Sequence, residues 1–162
     1  MKLIRTILTS AAEGVIKRFS GTGRANETIS DREIFQHYGF TSIPQPGAEG
    51  ILVNEGNHIV LIASDDRRYR LAVAQGAVAL YTDEGDYILL GRERQITVLG
   101  GNGVTVETPS FTIKAVEGGG TPDVTIDANA TFNGNMAING NLSVNGTITA
   151  TGEITGHPVT SG

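Results

Sequence analysis

The chain has 162 residues, no cysteine and a net charge of −5. That acidic balance argues against nucleic acid as a partner, because phosphate binding needs a basic surface. The lack of cysteine excludes a disulfide framework and a thiolate metal site, and no run approaches the roughly 18 apolar residues of a membrane span. Charge is unevenly spread. Residues 1–99 carry 11 Lys+Arg and 12 Asp+Glu, whereas residues 100–162 carry only Lys114 against five acids. The chain therefore reads as a mixed globular front and an almost uncharged, Gly/Asn/Thr-rich rear. The rear keeps Ile, Val, Leu and Met in strict phase, which a disordered tail has no reason to do.

The first stretch, Met1 to Phe19, has apolar residues at 3, 4, 7, 8, 11, 12, 15, 16 and 19. This is the i, i+3, i+4 spacing of an amphipathic helix, and it predicts an N-terminal helical arm over 1–18. A signal peptide is the competing reading. Arg5, Thr9, Ser10 and Glu13 interrupt the apolar run that it would need.

Short strands follow. Alternation and turn residues predict them at Lys17–Ala25, Gly50–Asn54, His58–Ser64, Tyr69–Ala74, Ala77–Thr82 and Tyr87–Gly91. The turns are Asn54-Glu55-Gly56-Asn57, Asp65-Asp66-Arg67, Gln75-Gly76 and Asp83-Glu84-Gly85-Asp86. Residues 26–46 read as an insert holding Ile34, Phe35, Tyr38 and Phe40. Strands of this number and length predict an OB-like barrel over 19–94. Many OB folds bind oligonucleotides through aromatics in a basic groove. This one is slightly acidic and lacks Trp, which favours a scaffold role.

Residues 95–125 read as a β connector with plainer strands at Gln95–Leu99, Gly103–Glu107 and Ser110–Ala115. Residues 126–162 then carry a repeat. Glycines fall at 134, 140, 146 and 152, a period of six. Met136, Leu142, Ile148 and Ile154 each follow their glycine by two residues, and Ile138, Val144 and Ala150 come two residues later again. Alternation places these pairs on one face, with Asn, Ser and Thr on the other. The Asn-Gly and Thr-Gly corners suit glycine's tolerance of positive φ.

Two folds use such a hexad: a single-chain left-handed β-helix, as in many acyltransferases, and a triple-stranded β-helix in which each of three chains gives one side per layer. Only about four clear hexads are present, whereas a solenoid needs roughly three or more stacked coils. The count favours three intertwined chains, so the overall expectation is an all-β homotrimer with a helical arm.

No catalytic constellation stands out. His37, His58 and His157 form no metal-binding spacing within one chain, and no Gly-x-Ser-x-Gly elbow is present. Gly100-Gly101-Asn102-Gly103 lacks the Lys-Ser/Thr of a phosphate loop, and Asp65-Asp66 beside Arg67-Arg68 reads as a solvated hairpin tip. Asp123 and Asp127 share a strand face and would form acidic rings in a trimer. His157 stands where the repeat ends. Three copies meeting near an axis would offer three imidazoles to a transition metal; the plain alternative is an exposed side chain at a frayed end.

The order of these parts, and the segment Phe35-Gln-His-Tyr-Gly-Phe-Thr-Ser-Ile-Pro-Gln-Pro-Gly-Ala-Glu-Gly50-Ile-Leu-Val, resemble the central spike, or baseplate assembly protein V, of Mu-like contractile-tailed bacteriophages. The resemblance covers nearly the whole chain. It implies a non-enzymatic homotrimer at the virion tail tip, assembled in the host cytoplasm. The trimer would be joined to a baseplate hub protein, which it plugs, and its tip would pierce the host outer membrane. Many members of that family hold iron on the axis through an His-x-His pair. Here His157 is followed by Pro158 and Val159, so a three-histidine site, another ion or no metal stay open. The alternative functions are a trimeric tail-fibre or adhesin module that binds a surface ligand, and a type VI-like spike.

Overall fold

In the computed structural model, which describes residues 1–25, 27–115, 117, 119–120 and 122–152, the first element is a strand and not a helix. Strand β1 runs over Lys2–Ala12, and its side chains alternate: Ile4, Thr6 and Leu8 point inward, while Leu3, Arg5 and Ile7 point out. The expected helical arm over 1–18 is therefore corrected. A spacing of four places two residues on one face in a helix and in a strand alike. Here β-branched Ile4, Thr6, Ile7 and Thr9 favour the pleated form, and a partner lies on each side to complete the ladders.

Those partners build a closed five-stranded barrel. Strands β2 (Arg18–Thr22), β3 (Thr28–Ile34), β4 (Glu49–Glu55) and β5 (His58–Asp65) join β1 in the order β1-β2-β3-β5-β4, and β4 closes back on β1. All pairs are antiparallel except β3 with β5, which meet in parallel at Glu33↔Val60 and Ile34↔Leu61. This is the OB-like arrangement, with β1 as a full member. Register shifts at Leu8/Ser10, Phe19/Gly21 and Ile51/Leu52 mark the bulges that bend so small a sheet into closure.

The barrel core is Ile4, Leu8, Phe19, Ile29, Ile34, Leu52 and Leu61. Thr6, a polar side chain buried beside this core, donates its Oγ1 hydrogen to the Thr22 carbonyl at 2.9 Å. Two glycines let the walls approach. A Cβ at Gly21 would stand 2.6 Å from Thr6 Oγ1, and one at Gly50 would stand 2.5 Å from Leu61 Cδ1.

Beyond the barrel, β6 (Val78–Tyr81), β7 (Tyr87–Leu90) and β8 (Ile96–Leu99) form a three-stranded antiparallel meander. Its first turn uses Gly85 at φ +92°, a value that glycine accepts readily. The stretch predicted as a strand at Tyr69–Ala74 is irregular, as are 103–107 and 110–115.

The chain divides into two compact units, Met1–Glu107 and Thr108–Gly162. The second unit, where described, holds no assigned strand, yet it keeps the sixfold period. Backbone bends fall at 128, 133–134, 139–140, 145–146 and 151–152, with straight four-residue runs between the paired bends. The repeat glycines 134, 140, 146 and 152 are not among those with positive φ, which corrects that expectation for the corners.

Candidate functional site

Three features of the chain face outward with unspent chemistry. The first is the repeat. Its straight runs have no ladder partner in the described chain, and Met136, Ile138, Leu142, Val144 and Ile148 are all exposed, Leu142 at 66%. An extended run with free N–H and C=O groups and a row of aliphatics is a template for another strand.

The second is one face of the meander. The registers Val78↔Leu90↔Ile96 and Leu80↔Ile88↔Val98 set six aliphatic side chains into two straight rows across three strands. Directly opposed residues of an antiparallel pair share a face. All six are exposed, from 43% at Ile88 to 69% at Ile96. The other face carries Ala79, Tyr81, Tyr87, Leu89, Thr97 and Leu99. Within the same unit, the row Leu80–Ile88–Val98 joins Phe40, Ile43 and Tyr69 among the residues lining a groove of about 940 Å³.

The third is a charged edge of the barrel. Glu49 is paired with Arg5 and, at 3.3 Å, with Arg67. The hydrogen bond from Arg5 holds its carboxyl below the usual range; partial desolvation works against this, and the charges of Arg67 and Arg70 reinforce it. Asp66 accepts from Arg68 at 2.6 Å and is lowered for the same reason. Arg68 also donates to the Pro46 carbonyl at 2.8 Å, tying the start of β4 to the turn after β5. These charges neutralise one another, so the edge reads as structural.

Beside these, the loop between β3 and β4 is held by a polar staple. The Lys17 ammonium, largely buried, donates to Gln36 Oε1 at 3.0 Å, to Thr41 Oγ1 and to the Ser42 carbonyl at 3.2 Å, and it pairs with Glu13 at 3.2 Å. Gln36 Nε2 donates in turn to Ser42 Oγ at 2.8 Å. The staple fixes the loop that carries Phe40 and Ile43. Sequence reading missed it, because nothing in the spacing of Lys17, Gln36 and Ser42 announces a contact.

The predicted metal ligand His157 lies outside the described residues. His37 and His58 are exposed on separate parts of the barrel unit, and Asp123 and Asp127 are exposed in the second unit. Among the described residues no group of three His, Cys, Asp or Glu is close enough to hold a metal ion.

Residues 5–68 match the family model described as Bacteriophage Mu Gp45, N-terminal. These residues span nearly the whole of the barrel. The barrel is thus similar to the N-terminal part of that phage baseplate protein. It is also 29% identical over 129 residues to the baseplate puncturing device gp45 of Escherichia phage Mu, a match covering 69% of this chain and 66% of that protein. The match thus spans a little under two thirds of the phage Mu relative.

Proposed function

We propose that this chain is the structural spike of a contractile-tail baseplate, working as a homotrimer whose C-terminal repeats intertwine into a triple-stranded β-helix that punctures the host outer membrane. The single observation that carries the reading is the repeat at 133–152: corners every six residues, straight runs without a ladder partner among the described residues, and exposed aliphatics in phase. Three copies supply what one lacks. Each run pairs with neighbours from the other chains, every edge disappears, and the Met/Leu/Ile and Ile/Val/Ala series close into one apolar interior. Asn, Ser and Thr remain outside, and an uncharged surface crosses lipid at lower desolvation cost than a charged one.

The barrel joins the trimer to the hub protein of the baseplate at the tail tip of the virion and caps it. The force comes from tail contraction, so the spike itself needs no turnover. An ion such as iron near the tip is part of this proposal, on the strength of His157 alone, one imidazole per chain.

The test is Ile148→Asp in the full chain. A buried carboxylate in each of three chains prevents the interior from closing, so the variant should lose assembly while its barrel stays folded. A fully trimeric variant would overturn the reading. The alternative of a ligand-binding fibre has less support: Phe132 is the one aromatic residue in 126–162.

A further inference from the structure

Three corners of the repeat carry a reactive pair of residues. Asn133-Gly134, Asn139-Gly140 and Asn145-Gly146 each fall on a backbone bend, and both residues of every pair are exposed. Among the described residues, nothing accepts a hydrogen bond from the N–H of Gly134, Gly140 or Gly146. Nor does the folded chain require glycine there. None of the three has a positive φ, and a Cβ added to any of them meets no atom within 4 Å. What glycine does supply is an unshielded backbone nitrogen beside an asparagine amide. The fourth corner, Thr151-Gly152, has the same bend without the amide. From Ala128 to Gly152 the sequence carries no charged side chain.

We infer that Asn133, Asn139 and Asn145 are deamidation sites, open in the lone chain and closed by assembly, so that the repeat carries a chemical clock on its own competence. The sites rest on the geometry above; their closing rests on the trimeric reading. Asparagine is one of the thermolabile residues. In the reaction the Gly nitrogen attacks Cγ of the preceding asparagine. The N–Cγ bond forms, the Cγ–Nδ2 bond breaks, and ammonia leaves with the proton of the Gly N–H. Water then opens the cyclic imide. Cleavage at Cγ leaves aspartate on an ordinary backbone. Cleavage at the asparagine backbone carbonyl leaves isoaspartate, whose chain runs through Cβ and Cγ.

The attack needs the asparagine ψ to turn and the Gly N–H to be free, and a following glycine hinders that turn least. Both conditions hold at a corner between unpaired runs. Pairing of the runs with other chains engages their backbone groups and fixes the corners between them. Either product spoils the hexad. Aspartate charges a run that has no charge, and three chains would set three like charges in one layer, where they repel. Isoaspartate adds an atom to the backbone, and the period that phases Met136, Leu142 and Ile148 is lost beyond it. Conversion before assembly thus withdraws a chain from the competent pool, whereas an assembled chain is held safe.

The natural full-length chain and its Ile148→Asp variant are each incubated at neutral pH in heavy-oxygen water. Peptides covering the repeat are then read by mass spectrometry, beside the solution mass from light scattering. Each opening of the imide places one heavy oxygen in the peptide, so amide lost during the incubation is separated from amide lost before it. The inference expects natural trimers to keep the amides of Asn133, Asn139 and Asn145, and the Ile148→Asp chain to lose them to aspartate and isoaspartate. In that variant Gly134→Ala, Gly140→Ala and Gly146→Ala should each silence the neighbouring asparagine alone, since the new methyl hinders the attack and has open space in the fold. A chain carrying Asn133→Asp, Asn139→Asp and Asn145→Asp together should fail to form trimers. Natural trimers that convert as fast as the Ile148→Asp chain would overturn the inference and leave the intertwined trimer standing. Amides intact in both proteins would overturn the sites, and full trimers of the triple aspartate chain would overturn the clock. A monomeric natural chain, or a trimeric Ile148→Asp chain, would remove the trimeric reading and the protection with it.

Discussion

The Lys17 ammonium lies 3.0 Å from Gln36 Oε1, so the β1–β2 hairpin is fastened to the loop that leaves β3. Ser42 closes the arrangement by donating its backbone N–H to the same Gln36 oxygen at 3.1 Å. One lysine thus orders a segment that has little apolar anchoring of its own, since Phe35 and Tyr38 are turned to solvent.

Lys17→Met keeps the aliphatic stem and removes the charge. It takes the charged donor from Gln36 Oε1 and the Ser42 carbonyl, which keep only the Ser42 N–H and Gln36 Nε2, and hydrogen bonds to charged groups are worth about 1.5–3 kcal/mol. The expected result is a barrel destabilised by about that much in urea denaturation, with hydrogen exchange accelerated over 36–42 in particular. Unchanged exchange there would mean that the loop is held by other contacts.

Gly50→Ala tests the closeness of the barrel walls. The added methyl would meet Leu61 Cδ1 at 2.5 Å and Thr6 Cγ2 at 2.9 Å, both inside the core. Overpacking of this kind costs about 1–3 kcal/mol. Gly56→Ala is the contrasting variant: its φ of +60° disfavours alanine, but no atom lies within 4 Å of the new methyl. The first should fail through crowding, and Leu61→Val in the same chain should relieve it; the second should be insensitive to that change.

The charged edge predicts an acid limb of stability. Glu49 and Asp66 are held below their ordinary values in the folded chain. A depressed carboxyl contributes stability above the unfolded pKa, and that contribution is lost as pH falls through the folded pKa. Glu49→Gln should therefore melt below the natural chain at neutral pH, with the gap closing as pH falls below about 4. Salt should narrow the gap, because the pairs are near the surface. A gap independent of pH would assign the effect to packing instead.

Metal content tests the proposed role of His157. Purified protein should carry an ion that His157→Ala loses, by elemental analysis per trimer. Equal content in the two proteins would remove His157 as a ligand.

Much of this architecture was legible in the sequence, and the failures have physical causes. Strands β2, β4, β5, β6, β7 and β8 announced themselves through alternation and turn residues, but their spacing put β6 and β7 in the barrel over 19–94 and β8 in the connector, whereas the three pair in a sheet of their own and the barrel closes with β1 to β5. β1 read as a helix because its inward residues sit four apart, a spacing that both structures share, and only the barrel's closure decides between them. β3 was hidden inside an insert: in Thr28–Ile34 only Ile29 and Ile34 are buried, and Asp31 at φ +53° breaks the alternation between them. The repeat showed its period but not its partners, since no strand ladder forms along it among the described residues. The face of the meander needed the register, because the alternation of β6 and β8 alone does not say which rows line up.

The measurement that bears most directly on the account is the molar mass of the natural full-length chain by light scattering on a sizing column. The account predicts three copies of the 17.0 kDa chain, about 51 kDa. A mass of one chain would contradict it, because the repeats would then stand uncovered and no spike could form.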